Sequence, residues 1–368
     1  MKKRKILIIS VSAGAGHVRA AEALDQTARQ FFPELETRHI DMMDYVSGAM
    51  RTAIVDVYDM LAKTLPDVWG FIYKTANETK TMKRFYRLIR SVNRLNARKL
   101  YAFLEEYQPD EVICTHSFPA QVISQSSSWR HRGIPLNIVV TDYGFHKFWY
   151  IEGAQRYFVG SEKNKWELVR EGVPEKSVFV SGIPVMPQFF QSEVSSLSEQ
   201  AAKGLHVLVL AGGQGFIRSD EIVRFLVDNW NQPAALHITA VAGTNTKLLS
   251  KIKKIEQNTP THIHLDVIGW TDQIDTYMKQ ADVVVTKAGG ITTTEVITLG
   301  KRLVVIFPIP GQEEENARFV LESGAGMVAR SLPELLYYLT HIGTVPHATP
   351  IKNLQDGGAY KVLRIIEG

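Results

Sequence analysis

The stretch Thr286-Lys287-Ala288-Gly289-Gly290-Ile291-Thr292-Thr293-Thr294-Glu295 decides the fold. The apolar run Ala281-Asp282-Val283-Val284-Val285 feeds it, and its glycine pair opens a helix whose first turn is rich in threonine. A second apolar run, Arg302-Leu303-Val304-Val305-Ile306-Phe307, leads into Pro308-Ile309-Pro310-Gly311-Gln312-Glu313-Glu314-Glu315-Asn316-Ala317. Short apolar runs that alternate with helical patterns read as buried strands of a parallel sheet. Both loops then lie at the carboxyl ends of strands, where open α/β sheets bind ligands. Backbone N–H groups at a helix N-terminus favour a phosphate. Glu295, one turn in, is placed to accept hydrogen bonds from ribose hydroxyls. Gln312, Glu313 and Asn316 suit a polyhydroxyl ligand. Phosphate, ribose and sugar together suggest a nucleotide-sugar.

The amino-terminal half repeats the pattern. Ile6 to Val11 reads as a buried strand, Ser12-Ala13-Gly14-Ala15-Gly16-His17 as a glycine loop, and about Val18 to Phe32 as a helix ended by Pro33. The third glycine of a dinucleotide fingerprint would fall at Arg19, which argues against NAD. His17, where loop meets helix, can take a proton from an acceptor hydroxyl at neutral pH. The other reading is a helix-start histidine that binds donor phosphate or its own loop. Strands follow at Glu36–Asp41, Glu111–Thr115, Leu136–Val140, Tyr157–Val159 and Ser177–Val180, with helices over about Ala120–Trp129 and Ser161–Arg170. His116 and Ser117 end one strand in a polar cluster. Asp142 ends another, where Asp also commonly caps a turn. Ser181 to Pro187 breaks periodicity and marks a hinge. The second half restarts near Leu205, and its first strand ends at Ala211-Gly212-Gly213-Gln214-Gly215, a glycine loop mirroring that at Gly14 and either closing over a pyrophosphate or simply turning. Two such halves argue for a two-domain enzyme with its site in the cleft.

The 368 residues suit two or three domains. A net charge of +4 is too small to imply nucleic acid unless it clusters, and it does cluster. Between Met42 and Tyr107 a methionine-rich apolar stretch and Trp69, Phe71, Ile72 and Tyr73 precede Lys74, Lys80, Lys83, Arg84, Arg87, Arg90, Arg94, Arg98 and Lys99, with Phe85 and Tyr86 interleaved. Such a stretch suits an anionic membrane surface, RNA, or a solvated face of a packed helix. Cys114 is the only cysteine, so no internal disulfide forms, nothing suggests a zinc site, and the chain fits a reducing compartment. No apolar run approaches the ~20 residues that span a bilayer. Lys2-Lys3-Arg4-Lys5 before Ile6 imitates a signal peptide, but the apolar run is short and a glycine loop follows.

Glu295 and the Pro-Gly-Gln-Glu loop at these spacings closely resemble the donor site of GT-B glycosyltransferases of the glycosyltransferase 28 type. Within that group the chain is most similar to the monogalactosyldiacylglycerol-synthase-like diacylglycerol glucosyl- and galactosyltransferases. Gly14-x-Gly16-His17, Gly182-Ile183-Pro184-x-x-Pro187 and Thr141-Asp142-x-x-x-His146-Lys147-x-Trp149 carry the resemblance onward. It implies an α/β GT-B fold, two Rossmann-like domains facing across a cleft. Residues 1–185 would take the acceptor and the membrane, residues 186–349 the UDP-sugar, and a helix within 350–368 would pack back on the first domain. Donor contacts would come from Gly14, Gly16, Gly213, Gln214, Gly215, Trp270, Thr271, Gly289, Gly290, Ile291, Thr292, Glu295, Gly311, Gln312, Glu313 and Asn316. His146 and Trp149 would wall the acceptor, and Trp69, Phe71, Lys83, Arg84, Phe85, Arg87 and Arg90 would meet the membrane. His17 is the first candidate base and Asp142 the second. Some relatives carry Asp just before the first glycine loop, where this chain has Ser12, so the base stays open. The reaction implied is inverting, without metal or other cofactor: glucose or galactose moves from UDP to diacylglycerol at the cytoplasmic membrane face. No nucleic-acid partner is expected. A polyprenyl-linked wall intermediate as acceptor, and a nucleotide-sugar epimerase or sensor of similar architecture, are the alternatives.

Overall fold

The computed structural model describes residues 3–12, 14–48, 97–190, 204–212, 218–308 and 311–368. Trp69, Phe71, Lys83, Arg84, Phe85, Arg87 and Arg90 lie outside these residues, as do Gly213, Gln214 and Gly215 and the side chain of Gln312. The chain divides into two compact units, one of Met1–Pro187 with Pro310–Gln312 and Leu354–Gly368, the other of Gln188–Ile309 with Glu313–Asn353.

The first unit is built on β1 (Arg4–Ser10), β2 (Leu35–Asp41), β3 (Glu111–Cys114), β4 (Leu136–Val139), β5 (Arg156–Val159) and β6 (Val178–Val180). They form one parallel sheet in the order β2-β1-β3-β4-β5-β6. Helices α1 (Ala15–Phe31), α2 (Arg98–Tyr107), α3 (Ser117–Ser124), α4 (Ser127–Arg132) and α5 (Glu162–Arg170) lie between the strands in sequence. Ile6, Leu7, Ile8 and Ile9 are all fully buried, which is why β1 reads as a continuous apolar run: both of its faces are covered. Beneath the sheet's amino ends, the buried Glu111 carboxylate accepts from Arg4, from Arg156 at 3.3 Å and from the Asn137 amide at 2.8 Å. A carboxylate is tolerated there because it is paired and hydrogen-bonded.

Two helices differ from the sequence reading. Helix α1 starts at Ala15, not Val18, so Gly16 and His17 belong to its first turn. The chain enters it through Gly14 at φ 102°, a left-handed conformation that only glycine adopts cheaply. The helix expected over Ala120–Trp129 is two helices. Ser126 leaves helical geometry at ψ 120° and caps α4 by accepting from the Trp129 N–H at 3.3 Å.

The second unit holds β7 (Leu205–Leu210), α6 (Ser219–Asn229), β8 (Leu236–Val241), α7 (Thr246–Glu256), β9 (Ile263–Ile268), α8 (Ile274–Gln280), β10 (Val283–Thr286), α9 (Gly290–Thr298), β11 (Arg302–Ile306), α10 (Gln312–Glu322), β12 (Met327–Ala329) and α11 (Leu332–Thr340). Its sheet is parallel in the order β12-β11-β10-β7-β8-β9. The three-residue β12 is not visible in the sequence pattern. The last helix, α12 (Gly358–Glu367), belongs to the first unit. Its Tyr360 ring packs on Phe32 with centroids 4.9 Å apart, and Arg4 donates to the Ile366 carbonyl at 2.5 Å. Gly358 permits the approach: a Cβ there would stand 2.6 Å from the Gly182 carbonyl oxygen.

Candidate active site

Each sheet has a switch point. From β1 the chain steps outward to β2, then returns to β3 on the other side; from β7 it runs out through β8 and β9, then returns to β10. Loops at the carboxyl ends of such strand pairs diverge and leave a crevice.

At the first switch point three loops converge on His17. Its Nδ1 lies 2.9 Å from the Thr115 carbonyl oxygen, beyond β3, and 2.9 Å from Thr141 Oγ1, beyond β4. A carbonyl only accepts, so Nδ1 carries the hydrogen and shares it between the two oxygens. Nε2 is then the basic nitrogen. Thr115 also donates its hydroxyl to the His17 carbonyl at 2.8 Å, closing a two-way clasp between α1 and β3. His116 stands edge-on to His17 with ring centroids 4.5 Å apart, and Trp149 lies 6.3 Å from the same ring.

Burial lowers the pKa of His17 below its ordinary value, opposed by the nearby Asp142 charge and the bond to Thr115. Burial, and then the neighbouring His17, press His116 well below its ordinary value. Both rings are therefore neutral at pH 7, and Asp142 (6% exposed) is the charge that favours a proton arriving on His17. The loop carrying Asp142 is held by Asn164, which donates to the Tyr143 carbonyl at 2.8 Å, and by Gln121, which donates to that of Phe148 at 3.1 Å.

Of the residues expected to wall the acceptor, Trp149 is at this site but buried, and His146 has a structural task. His146 Nδ1 accepts from the Phe148 N–H at 3.1 Å and caps a short turn, with only 2% of the residue exposed. His116 caps α3 in the same manner, accepting from Phe118 N–H at 3.0 Å. Ser12 donates its N–H to Asp41 at 3.2 Å.

At the second switch point the groups are of another kind. Helix α9 begins at Gly290 with Gly289 before it, no side-chain cap, and no acidic residue in its first turn. Its first amides, at Gly290, Ile291 and Thr292, thus have no intrahelical partner. Lys287 crosses this point. A Cβ on Gly212 would meet its Cε at 3.2 Å, and its ammonium pairs with the Glu313 carboxylate at the start of α10. Sequence reasoning placed Glu313 on sugar hydroxyls and gave Lys287 no role; the structure makes them an ion pair between two loops. Asn316 is buried and its amide donates to the Ala288 carbonyl at 2.9 Å, so it braces the glycine turn. Glu295 is buried at 4% exposure within α9. Gly311, at φ 94°, turns the chain into α10. Thr271 Oγ1 accepts from Gln273 N–H at 3.1 Å and shapes the entry to α8, beside an exposed Trp270.

The family models match both halves. Residues 17–185 match monogalactosyldiacylglycerol (MGDG) synthase, and residues 206–334 match the glycosyltransferase family 28 C-terminal domain. A processive diacylglycerol β-glucosyltransferase of Bacillus pumilus is 28% identical over 92% of this chain and 86% of its own length. Its namesake in Bacillus subtilis is 28% identical over 92% and 87%. Among solved structures, the glycotransferase of kitacinnamycin superposes with a TM-score of 0.63 at 15% identity, covering 100% of this chain and 99% of that one. Acinetobacter baumannii MurG gives 0.60 at 16%, covering 98% and 95%, and the UDP-GlcNAc 2-epimerase of Neisseria meningitidis 0.57 at 12%, covering 99% and 100%. These likenesses establish the GT-B architecture. With the MGDG synthase model over its first half and the family 28 model over its second, the chain belongs to the glycosyltransferase 28 / monogalactosyldiacylglycerol-synthase-like family of GT-B glycosyltransferases.

Proposed function

We propose that this enzyme moves a hexose, glucose or galactose, from a UDP-sugar to the hydroxyl of diacylglycerol, with inversion, without a catalytic metal, at the cytoplasmic face of a membrane. The observation that carries the reading is the pinned Nδ1 of His17, which leaves Nε2 free to act as a base. His17 Nε2 takes the acceptor proton as the oxygen attacks the anomeric carbon. The bond from that carbon to the UDP oxygen breaks, UDP leaves with the electron pair, and the anomeric centre inverts. Asp142 stabilises the imidazolium that forms. The uncapped amides of α9 and the Lys287 ammonium neutralise the charge growing on the leaving diphosphate. Diacylglycerol as acceptor, and glucose as the first sugar to try, are supported by the names of the two Bacillus relatives. Among the described residues no helix is long and apolar enough to cross a membrane. Attachment is assigned to the stretch between Trp69 and Arg90 on its basic and aromatic sequence alone.

The test is product analysis with labelled UDP-glucose, UDP-galactose and UDP-N-acetylglucosamine over anionic vesicles containing diacylglycerol, with and without EDTA. A labelled glycolipid that still forms in EDTA is the expected result. Interconversion of UDP-N-acetylglucosamine without any acceptor would replace this reading with an epimerase, and transfer only to polyprenyl lipids would change the acceptor.

A further inference from the structure

Three adjacent strands of the second sheet carry histidine at their second residue. His206, His237 and His264 stand in register across β7, β8 and β9. In-register residues of parallel neighbours point to the same face about 4.8 Å apart. Asp266, two residues beyond His264, shares that face. We propose that His237, His264 and Asp266 form a binding site for a first-row divalent transition metal, zinc foremost, that clips β9 to β8.

The geometry is nearly assembled. One Asp266 oxygen lies 2.8 Å from His237 Nε2, the other 3.2 Å from His264 Nε2. All three ligand atoms lie within 4.8 Å of one another. Ligands around a tetrahedral zinc at ~2.0–2.1 Å stand roughly 3.3 Å apart, so small side-chain rotations suffice. Two imidazoles and one carboxylate are a donor set suited to zinc, nickel or copper rather than magnesium, and three protein ligands leave a coordination place for water.

His206 is a wall, not a ligand. Its Nδ1 donates to the Gln280 carbonyl at 3.1 Å and its Nε2 accepts from the Thr239 hydroxyl at 2.9 Å, so both nitrogens are occupied. Its ring lies parallel to that of His237, centroids 4.2 Å apart, and fixes the plane in which His237 presents Nε2. The ligands are reachable: the side chains of His237, Asp266 and His264 are 38%, 46% and 69% exposed. The histidines occupy the amino ends of the strands, whereas the glycine loops follow the carboxyl ends, so the metal has no part in glycosyl transfer. It would hold edge strand β9 to its only neighbour in the sheet.

Zinc titration of the full-length, tag-free chain by calorimetry, with thermal melts in parallel, tests the proposal. The expected result is one zinc per chain, a rise in Tm with zinc but not with magnesium, and at least a tenfold loss of affinity in both His264→Ala and Asp266→Asn. Neither substitution should alter glycosyl transfer measured in EDTA. Cobalt titration adds a second readout, since d–d absorption in the visible range reports four- or five-fold coordination. Absence of zinc binding in the parent chain, or equal isotherms for parent and either variant, overturns the site.

Discussion

Around the switch point between β1 and β3 the loops supply two imidazoles, two hydroxyls and a carboxylate; around that between β7 and β10 they supply uncapped amides and a lysine–glutamate pair. The two places are topologically equivalent, yet one is arranged for moving a proton and the other for holding an anion. The difference lies in what fills the first helical turn. In α1 it carries His17, pinned by oxygens from two other strand ends. In α9 it carries Gly290, Ile291 and Thr292, and no side chain caps the helix. On the proposed reading, the first half would activate the nucleophile and the second would take the leaving group.

The largest effect should come from removing the proton acceptor. His17→Ala is expected to lower kcat by about 10²–10⁴, the range for general-base catalysis, while UDP affinity measured by calorimetry is unchanged. Near-normal turnover would move the base to Asp142. Because burial lowers the pKa of His17, the acid limb of the pH–kcat profile should lie below the ordinary histidine value of 6.5. Asp142 raises that pKa, so Asp142→Asn should move the limb to still lower pH and reduce the plateau. A shift to higher pH would contradict the assignment.

On the donor side, Lys287→Met is expected to cost about 10²–10³ in kcat/KM, as for removal of one charge-stabilising donor. It should weaken UDP binding while leaving the pH profile in place, the reverse of His17→Ala. Part of the loss comes from stranding the Glu313 carboxylate, which is buried. Lys287→Met/Glu313→Gln should therefore recover stability without recovering activity. Full recovery of turnover in the double variant would reduce the pair to a structural tie.

A third contrast concerns stability. His116 and His17 are neutral in the fold and take up protons more readily when unfolded, so stability falls as pH drops below about 6.5. His116→Asn keeps an acceptor for the Phe118 N–H and removes one titrating ring. Between pH 7 and pH 5.5 its urea midpoint should fall less than that of the parent. An equal fall would mean that His116 does not contribute to the acid sensitivity.

The sheets were legible because fully buried parallel strands such as Ile6–Ile9 and Val283–Val285 leave unbroken apolar runs, and β12, with three residues, is too short to leave one. The boundaries of α1 and the break at Ser126 were not, since both depend on backbone angles at single residues. Of the candidate residues, His17 stood out because it sits where a glycine loop meets a helix, and Asp142 because it follows an apolar run. The Lys287–Glu313 pair was hidden by 26 positions of sequence, and the clasp of His17 by Thr115 and Thr141 by 98 and 124. A histidine after a strand, such as His146, can ligate, wall a pocket or cap a turn, and the 3.1 Å bond from the Phe148 N–H, which shows that it caps one, has no signal in the sequence.

The smallest expected effect separates the clasp from the base itself. In Thr141→Val the side-chain shape is nearly kept, and Nδ1 retains the Thr115 carbonyl, so no buried donor is stranded. What is lost is one of two oxygens sharing a hydrogen, worth about 0.5–1.5 kcal/mol, or roughly two- to tenfold in kcat if the bond strengthens as the ring becomes charged. KM for the donor should not change, because Thr141 lies in the other unit from Lys287. Thr141→Ser, which restores the hydroxyl, should restore kcat. A fall in Tm with kcat untouched would show that Thr141 serves packing alone, and that the Thr115 carbonyl by itself holds the tautomer on which proton transfer depends.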